Sequence, residues 1–324
     1  MKLTFKSTWG LLGTSLVISS FLLLHPQYNP AQVPPALLAS KTMHADSVNH
    51  KLFAPGTPVE LIAKQFRFTE GPATDKQGNV FFTDQPNDKI WKYGTDGKLT
   101  LFMDKTGRSN GLYFDKKGNL ISCADENNQL WSISPAKKVT ILLKDLNGQK
   151  FNGPNDLWVH PKTGTIYFTD PFYPRDYWNH KTPELAKQNV YYLPPGKSQP
   201  VLADDNLEQP NGIIGSHDGK TLFVADIKAN KTYKYQIAPD GTLTNRQLFV
   251  EQGSDGMTMD SQGNVYLTGK GVTVYSPAGE KLVNIPVPAG WTANVTFGGK
   301  DRKMLFITAS EGVYKLPMLV KGMQ

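Results

Sequence analysis

The chain has 324 residues, of which 39% are hydrophobic and 19% charged, and it carries a formal net charge of +7 at pH 7. Its 35 Lys and Arg are scattered through turn-like segments without a run or an aromatic-interleaved stripe, so the basic balance describes a solvated surface and excludes a dedicated nucleic-acid interface. The single cysteine, Cys123, excludes an intramolecular disulfide and a cysteine-built metal cluster, and reads as a packed core thiol.

At the start of the chain, Lys2 and Lys6 precede an apolar run over residues 9–24. A basic stretch followed by such a run has the form of an export signal. At about 16 residues it is short for a spanning helix, which needs about 20. No small-x-small cleavage site follows directly, so residues 1–24 are expected to be either a signal peptide or an uncleaved N-terminal anchor. Either way the remainder is expected outside the cytoplasm, periplasmic or extracellular, with membrane contact only through that anchor. Residues 25–57, rich in Pro and polar side chains, read as a tether, and residues 58–324 as one folded domain.

Within that domain one pattern returns six times, over residues 70–84, 110–125, 155–170, 211–226, 255–269 and, more loosely, 294–308. A polar oxygen-bearing residue leads, usually followed by Gly, then an apolar strand, a Gly turn and a second strand. The leading residues are Glu70, Asn110, Asn155, Asn211, Asp255 and Asn294. Repeats at intervals of 39 to 56 residues, built of alternating apolar strands and Gly/Asn turns, mark propeller blades, and the three-and-four spacing of helical repeats is missing. The expected fold is all-β, a six-bladed β-propeller with a central divalent metal site. The segment Val59-Glu-Leu-Ile-Ala63 is expected to pair with the last blade and close the ring, since an open edge is a liability.

Radial symmetry puts the six leading residues, expected just before the first strand of each pair, at one height near the axis. One Glu, one Asp and four Asn then present a ring of oxygens with about two formal negative charges, suited to a hard divalent cation. Ca²⁺ is favoured; Zn²⁺ fits less well because no Cys or His joins the ring, and Mg²⁺ and Mn²⁺ are admissible. Taken singly, Asn-Gly and Asp-Gly are ordinary turn formers. Six in register, with acids at only Glu70 and Asp255, read as a working site.

The longest interruption, residues 171–188, carries Phe172, Tyr173, Arg175, Tyr177, Trp178 and His180 directly after the second strand of the third copy. Such an insertion could roof the ring or pack on its rim. Arg108, two residues before Asn110, is a second candidate to reach an anionic or hydroxylated substrate. Among the six histidines, His217 reads as a turn residue, His160 takes the position where other copies have Asp, and His180 alone is placed to face the site.

Glu70-Gly-Pro, Phe151-Asn-Gly-Pro-Asn-Asp, Tyr167-Phe-Thr-Asp-Pro, Pro210-Asn-Gly, Ser254-Asp-Gly-Met and Phe297-Gly-Gly, in that order, resemble the SMP-30/gluconolactonase/luciferin-regenerating-enzyme family of six-bladed propellers over residues 58–316. The resemblance implies that Glu70, Asn211 and Asp255 bind a catalytic divalent ion, with Asn155 at the metal or its substrate. It implies a divalent-metal-dependent hydrolase opening small lactones, in which the metal acts as Lewis acid and Asp255 as both ligand and general base. Asn155, Asn110, Asn294, Phe172, Tyr173, Trp178 and His180 would then contact the small-molecule lactone. The chain departs from the animal enzymes at Gly153, where they carry an Arg two residues before the third-blade Asn, which puts a sugar-lactone preference in doubt.

The missing groups agree with hydrolysis at a metal. The chain has no Gly-x-Ser-x-Gly elbow, no phosphate-binding Gly-rich loop, no His-Glu-x-x-His and no Cys cluster. The competing reading is a non-catalytic extracytoplasmic binding propeller whose ion only rigidifies the axis. A condensing propeller of the strictosidine-synthase kind is disfavoured by the acidic ring. No feature of the sequence specifies an oligomeric state.

Overall fold

The computed structural model describes residues 51–323. The signal or anchor reading of residues 1–24 and nearly all of the tether lie outside the described residues. Six four-stranded antiparallel sheets follow one another. Blade 1 is Thr69–Thr74, Val80–Asp84, Lys89–Tyr93 and Leu99–Asp104; blade 2 is Ser109–Phe114, Leu120–Ala124, Gln129–Ile133 and Val139–Leu143. Blade 3 comprises Leu157–Val159, Ile166–Asp170, Asn189–Leu193 and Val201–Asp204, and blade 4 Pro210–Gly215, Thr221–Asp226, Lys231–Ile237 and Leu243–Val250. Blade 5 is Met257–Met259, Val265–Gly269, Gly271–Tyr275 and Lys281–Ile285. Blade 6 takes Thr292–Gly298, Met304–Ala309 and Gly312–Pro317 from the end of the chain and Glu60–Ala63 from its beginning. The first strand of each blade packs on that of the next, and blade 6 packs on blade 1, so the ring is closed.

Closure follows the expectation. Glu60–Ala63 pairs antiparallel with Gly312–Pro317, Leu61 opposite Tyr314, and Lys315 Nζ meets Glu60 Oε2 at 3.0 Å. Just upstream, Leu52 and Phe53 are buried in the apolar cluster of blades 5 and 6, and the Leu319 amide donates to the Leu52 carbonyl at 2.7 Å.

The burial pattern explains why the second strands read as unbroken apolar runs. Near the axis each sheet is covered on both faces, so Val80–Asp84, Leu120–Ala124 and Ile166–Asp170 are buried along their whole length. Outward the blades splay, and the exposed residues Leu61, Leu101, Ile141, Val201, Leu202 and Leu248 all lie on outermost strands. Aromatic rings fill the wedges: Phe81 meets Phe114 edge-on at 5.1 Å between blades 1 and 2, and Tyr266 meets Phe297 at 5.2 Å between blades 5 and 6.

The Gly turns repeat one hydrogen-bond device. Asp75 Oδ1 accepts the amides of Gln77 and Asn79, Asp115 those of Lys117 and Asn119, and Asp260 those of Gln262 and Asn264. His160 does the same in blade 3, its Nδ1 accepting from Lys162 and Thr163 at 3.1 and 3.2 Å. That assignment puts the ring proton on Nε2, which donates to the Gly219 carbonyl at 3.0 Å.

Candidate functional site

Two hydrogen-bond systems place the leading residues. Asp84, Asp170 and Asp226, which end their copies of the repeat, turn their carboxylates onto the loop entering their own blade. Asp84 Oδ1 accepts from Arg67 N and Phe68 N at 3.0 and 3.3 Å, Asp170 from Asn152 N and Gly153 N at 3.0 and 2.8 Å, and Asp226 from Glu208 N and Gln209 N at 2.8 and 3.0 Å. Threonines at the penultimate position of three copies reach into the next blade: Thr83 Oγ1 donates to Asn110 O at 3.2 Å, Thr169 Oγ1 to Asn211 O at 2.8 Å and Thr268 Oγ1 to Ala293 O at 2.8 Å.

Four leading residues stand inside their first strand rather than just before it, where the repeat alone had put them. Strand pairing slips between Glu70 and Ala73, Ser109 and Leu112, Pro210 and Ile213, and Thr292 and Asn294. A bulge of this kind releases residues from the ladder and re-aims side chains: Asn110 and Asn211 lie within the slipped stretches, whereas Glu70 and Asn294 border theirs, opposite Thr83 and Thr308. The glycines that follow let blades meet: a Cβ on Gly71 would lie 2.0 Å from the Asn110 carbonyl oxygen, and one on Gly256 1.9 Å from Asn294 Cγ.

Glu70, Asn110, Asn155 and Asp255 line one cavity of about 260 Å³ together with Phe68, Gln85, Tyr173, Arg175, Ile227 and Trp291. Asn211 borders it through its side-chain amide, whose Nδ2 donates to Asp255 Oδ1 at 2.9 Å and to the Tyr173 hydroxyl oxygen at 3.0 Å. A carboxylate only accepts, so this contact fixes the amide's orientation and leaves Asn211 Oδ1 without a donor. Trp291 Nε1 donates to Asp255 Oδ2 at 2.6 Å. Asn294 stands apart from the substrate role expected for it: its Oδ1 accepts from Val295 N at 2.8 Å, and its Nδ2 faces Glu70 Oε2 at 3.3 Å and Asp156 Oδ2 at 3.4 Å.

The electrostatics are those of crowded acids. Burial, then the charges of Asp255 and Asp156, push the Glu70 carboxyl well up, against the opposing Gly71 amide. Burial lifts Asp255 to about 6, restrained by the donors Trp291 and Asn211 and by the Arg175 charge. Asp156 rises to about 7 by burial, against the amide of Leu157 and the side chain of Asn294. Meanwhile Asn110 Oδ1 and Asn211 Oδ1 are buried with no donor. Buried oxygens without donors cost free energy; orphaned amide oxygens beside unneutralised acids are the complement of a hard cation. Glu70, Asp255, Asn211 and Asn155 therefore form a donor set that fits a divalent ion, with Asn110 Oδ1 available to it. Among the described residues no group of three or more His, Cys, Asp or Glu gathers as a metal cluster, so the donors are acids mixed with amides.

The insertion reaches the cavity only in part. Tyr173 and Arg175 line it. Trp178 is buried, its Nε1 donating to the Asp125 carbonyl at 2.8 Å, and His180 stacks on it at 4.8 Å. Phe172 is tilted against that indole at 5.9 Å. Phe172, Trp178 and His180, expected at the substrate, thus build the body of the insertion instead, because three rings that can stack on one another bury more apolar surface there than at a polar mouth. Arg108 is held away too, by the Pro86 carbonyl at 2.6 Å, by Glu126 at 3.6 Å and by the Tyr177 ring at 4.3 Å. Reasoning on the repeat missed Trp291, Gln85, Phe68 and Ile227, which lie outside the repeated segments. It also passed over Asp156, whose signal was present: it occupies the slot that is Gly in four other copies.

The family model described as SMP-30/gluconolactonase/LRE-like region matches residues 68–311. A gluconolactonase of Zymomonas mobilis is 29% identical over 293 residues, covering 80% of this chain and 81% of the relative. A lactonohydrolase of Aspergillus oryzae is 29% identical over 214 residues, 57% of this chain but only 48% of the relative. The solved structure of a gluconolactonase from Xanthomonas campestris superposes with a TM-score of 0.77 at 28% identity, over 85% of this chain and 95% of that one.

Proposed function

The chain belongs to the SMP-30/gluconolactonase/LRE-like family, and on that footing we propose that it is a divalent-cation-dependent lactonase, with Asp255 as general base. The observation that carries the proposal is the meeting of Glu70 and Asp255 with Asn110 at one cavity, where Asn110 Oδ1 has no donor, and the equally donorless Asn211 Oδ1 beside them on a side chain bonded to Asp255. Relatives named gluconolactonase and lactonohydrolase support the reaction class. The cavity, about 260 Å³, is below the roughly 300–1,000 Å³ of drug-sized sites, which suits a single small ring.

Glu70, Asn211, Asp255 and Asn155 would hold the cation; Ca²⁺ matches the all-oxygen donors best. When bound, the ion supplies Lewis-acid polarisation of the ester carbonyl. Asp255 takes a proton from the attacking water as the new carbon–oxygen bond forms. The ring carbon–oxygen bond then breaks, and the same proton passes to the departing ring oxygen, giving the open hydroxy acid. Trp291 and Asn211, one on each Asp255 oxygen, keep that carboxylate ionised and aimed. Tyr173 accepts from Asn211 and keeps its own proton, since burial pushes its hydroxyl pKa far up; it can donate to a bound substrate beside Asn155.

The deciding experiment is pH-stat hydrolysis of a lactone panel by metal-stripped protein with Ca²⁺, Mg²⁺, Mn²⁺ or Zn²⁺ restored singly. Ion-dependent turnover, lost in Asp255→Asn, is the expected result. Tight ion binding without turnover of any lactone would convert the site into a structural ion in a binding propeller.

A further inference from the structure

Asp125 breaks a rule that its counterparts obey. Asp84, Asp170 and Asp226 spend their carboxylates on their own entry loops, but the entry loop of blade 2 is held from blade 1: Asp88 Oδ1 accepts from Thr106 N at 2.8 Å and Arg108 N at 2.7 Å. Asp125 is thereby released. Only 2% exposed, it turns to the insertion, where its Oδ2 accepts from Arg175 Nε at 3.2 Å and from the Tyr177 hydroxyl. A buried carboxylate in blade 2 thus fixes the direction of a guanidinium on a loop from blade 3.

Arg175 lines the cavity of Glu70 and Asp255. Its Nε is spent on Asp125, and its charge carbon lies 5.6 Å from the centre of the Tyr173 ring. Among the described residues no acceptor meets its two terminal amines. An arginine at position 153 could not share this arrangement: Gly153 has φ +150, and a Cβ there would lie 3.0 Å from the Trp178 ring and 3.3 Å from Asp125 Oδ1. The insertion occupies that space and delivers a cation from another direction.

We infer that Arg175 is the specificity-determining residue of the cavity and Asp125 its positioning residue, the free guanidinium amines holding oxygen substituents on the lactone ring. The inference rests on the lactonase reading for its reaction, though not for its binding. A planar fork preset by a buried acid gives directional hydrogen bonds at little entropic cost, so ring-oxygenated lactones are selected over bare ones of equal ring size.

The test compares D-glucono-1,5-lactone with δ-valerolactone on the cation-loaded full chain, in wild type, Asp125→Asn and the double variant Asp125→Asn/Arg175→Gln. The double variant replaces the ion pair by an amide pair and leaves no buried charge uncompensated. Its ratio of kcat/KM for the oxygenated over the bare lactone should fall roughly 10- to 100-fold, the worth of a charged hydrogen bond or two, mainly through KM. Asp125→Asn alone should shift the ratio in the same direction by less. An equal loss on both lactones would mean that the pair merely props the loop, and overturns the inference. Calorimetric binding of gluconate reads the same contact without turnover: weakening by a similar factor in the double variant supports the inference even if neither lactone is hydrolysed, an outcome that would sink the reaction assignment alone. Gluconate bound equally by both proteins, or by neither, overturns it.

Discussion

The indole of Trp291, at the entrance to blade 6, donates to Asp255 Oδ2 across the blade boundary at 2.6 Å. It is one of two side-chain donors on a carboxylate that burial lifts to about 6. The contact decides at what pH that carboxylate can work.

If Asp255 is the base, turnover requires its ionised form. Activity should therefore rise with pH along an acid limb at or below about 6, since a bound cation can only favour the carboxylate further. Trp291→Phe removes a hydrogen bond that lowers the pKa, so the limb should move to higher pH while the alkaline plateau is kept. An acid limb that stays in place would remove Trp291 from the proton step.

Asp255→Asn should lower kcat by about 10²–10⁴, the usual range for a positioned proton acceptor. Glu70→Gln should weaken cation binding, because it deletes one of the two ring charges, while thermal melting in excess cation shows the fold retained. Calorimetry of cation binding on both variants checks the division of roles.

Metal-stripped protein should be more stable in mild acid than at neutrality. The Asp156 pKa is raised in the fold to about 7 from a usual 3.8. Its contribution is thus complete below about 4 and lost as pH rises through 7. Glu70, also pushed up by burial, acts with the same sign. Asp156→Asn should flatten the fall, removing on the order of 4 kcal/mol at most. Denaturant melts of the stripped protein at pH 4.5 and 8 measure this, and a wild-type profile that rises with pH would refute it.

Gly71→Ala should cost about 2–4 kcal/mol. The residue has φ +40, and the added carbon would lie 2.0 Å from a main-chain oxygen of the neighbouring blade, which has no rotamer by which to move. Gly118→Ala is the control: its φ is +83 but nothing lies within 4 Å, so only the backbone penalty of about 1–2 kcal/mol remains. Equal losses would show that close approach at the axis is not limiting.

Removing residues up to 63 should strip the outer strand of blade 6 and expose the edge of Gly312–Pro317, giving a lower melting temperature and self-association. Glu60→Ala, which breaks only the half-exposed pair with Lys315, should cost less than about 1 kcal/mol. Light scattering and thermal melts separate the two effects.

The number of blades, the closure by residues near 60 and the approach of Glu70, Asn110, Asn155 and Asp255 to one cavity, with Asn211 beside it, were legible in the sequence. Each blade is made by pairing of successive strands, and a repeat carries its leading residue to the same radial position every time. What only the tertiary structure decided are contacts between side chains the repeat does not relate. Trp291 reaches Asp255, Asp156 meets the side-chain amide of Asn294, and Arg175 reaches the cavity because Asp125 was freed by Asp88. Asn294 turned from lining to bracing for the same kind of reason, with Glu70 from the far end of the chain at its amide. The partners in these contacts lie on different blades, and no local periodicity encodes them; they are settled when the ring closes and each buried polar atom must find a partner.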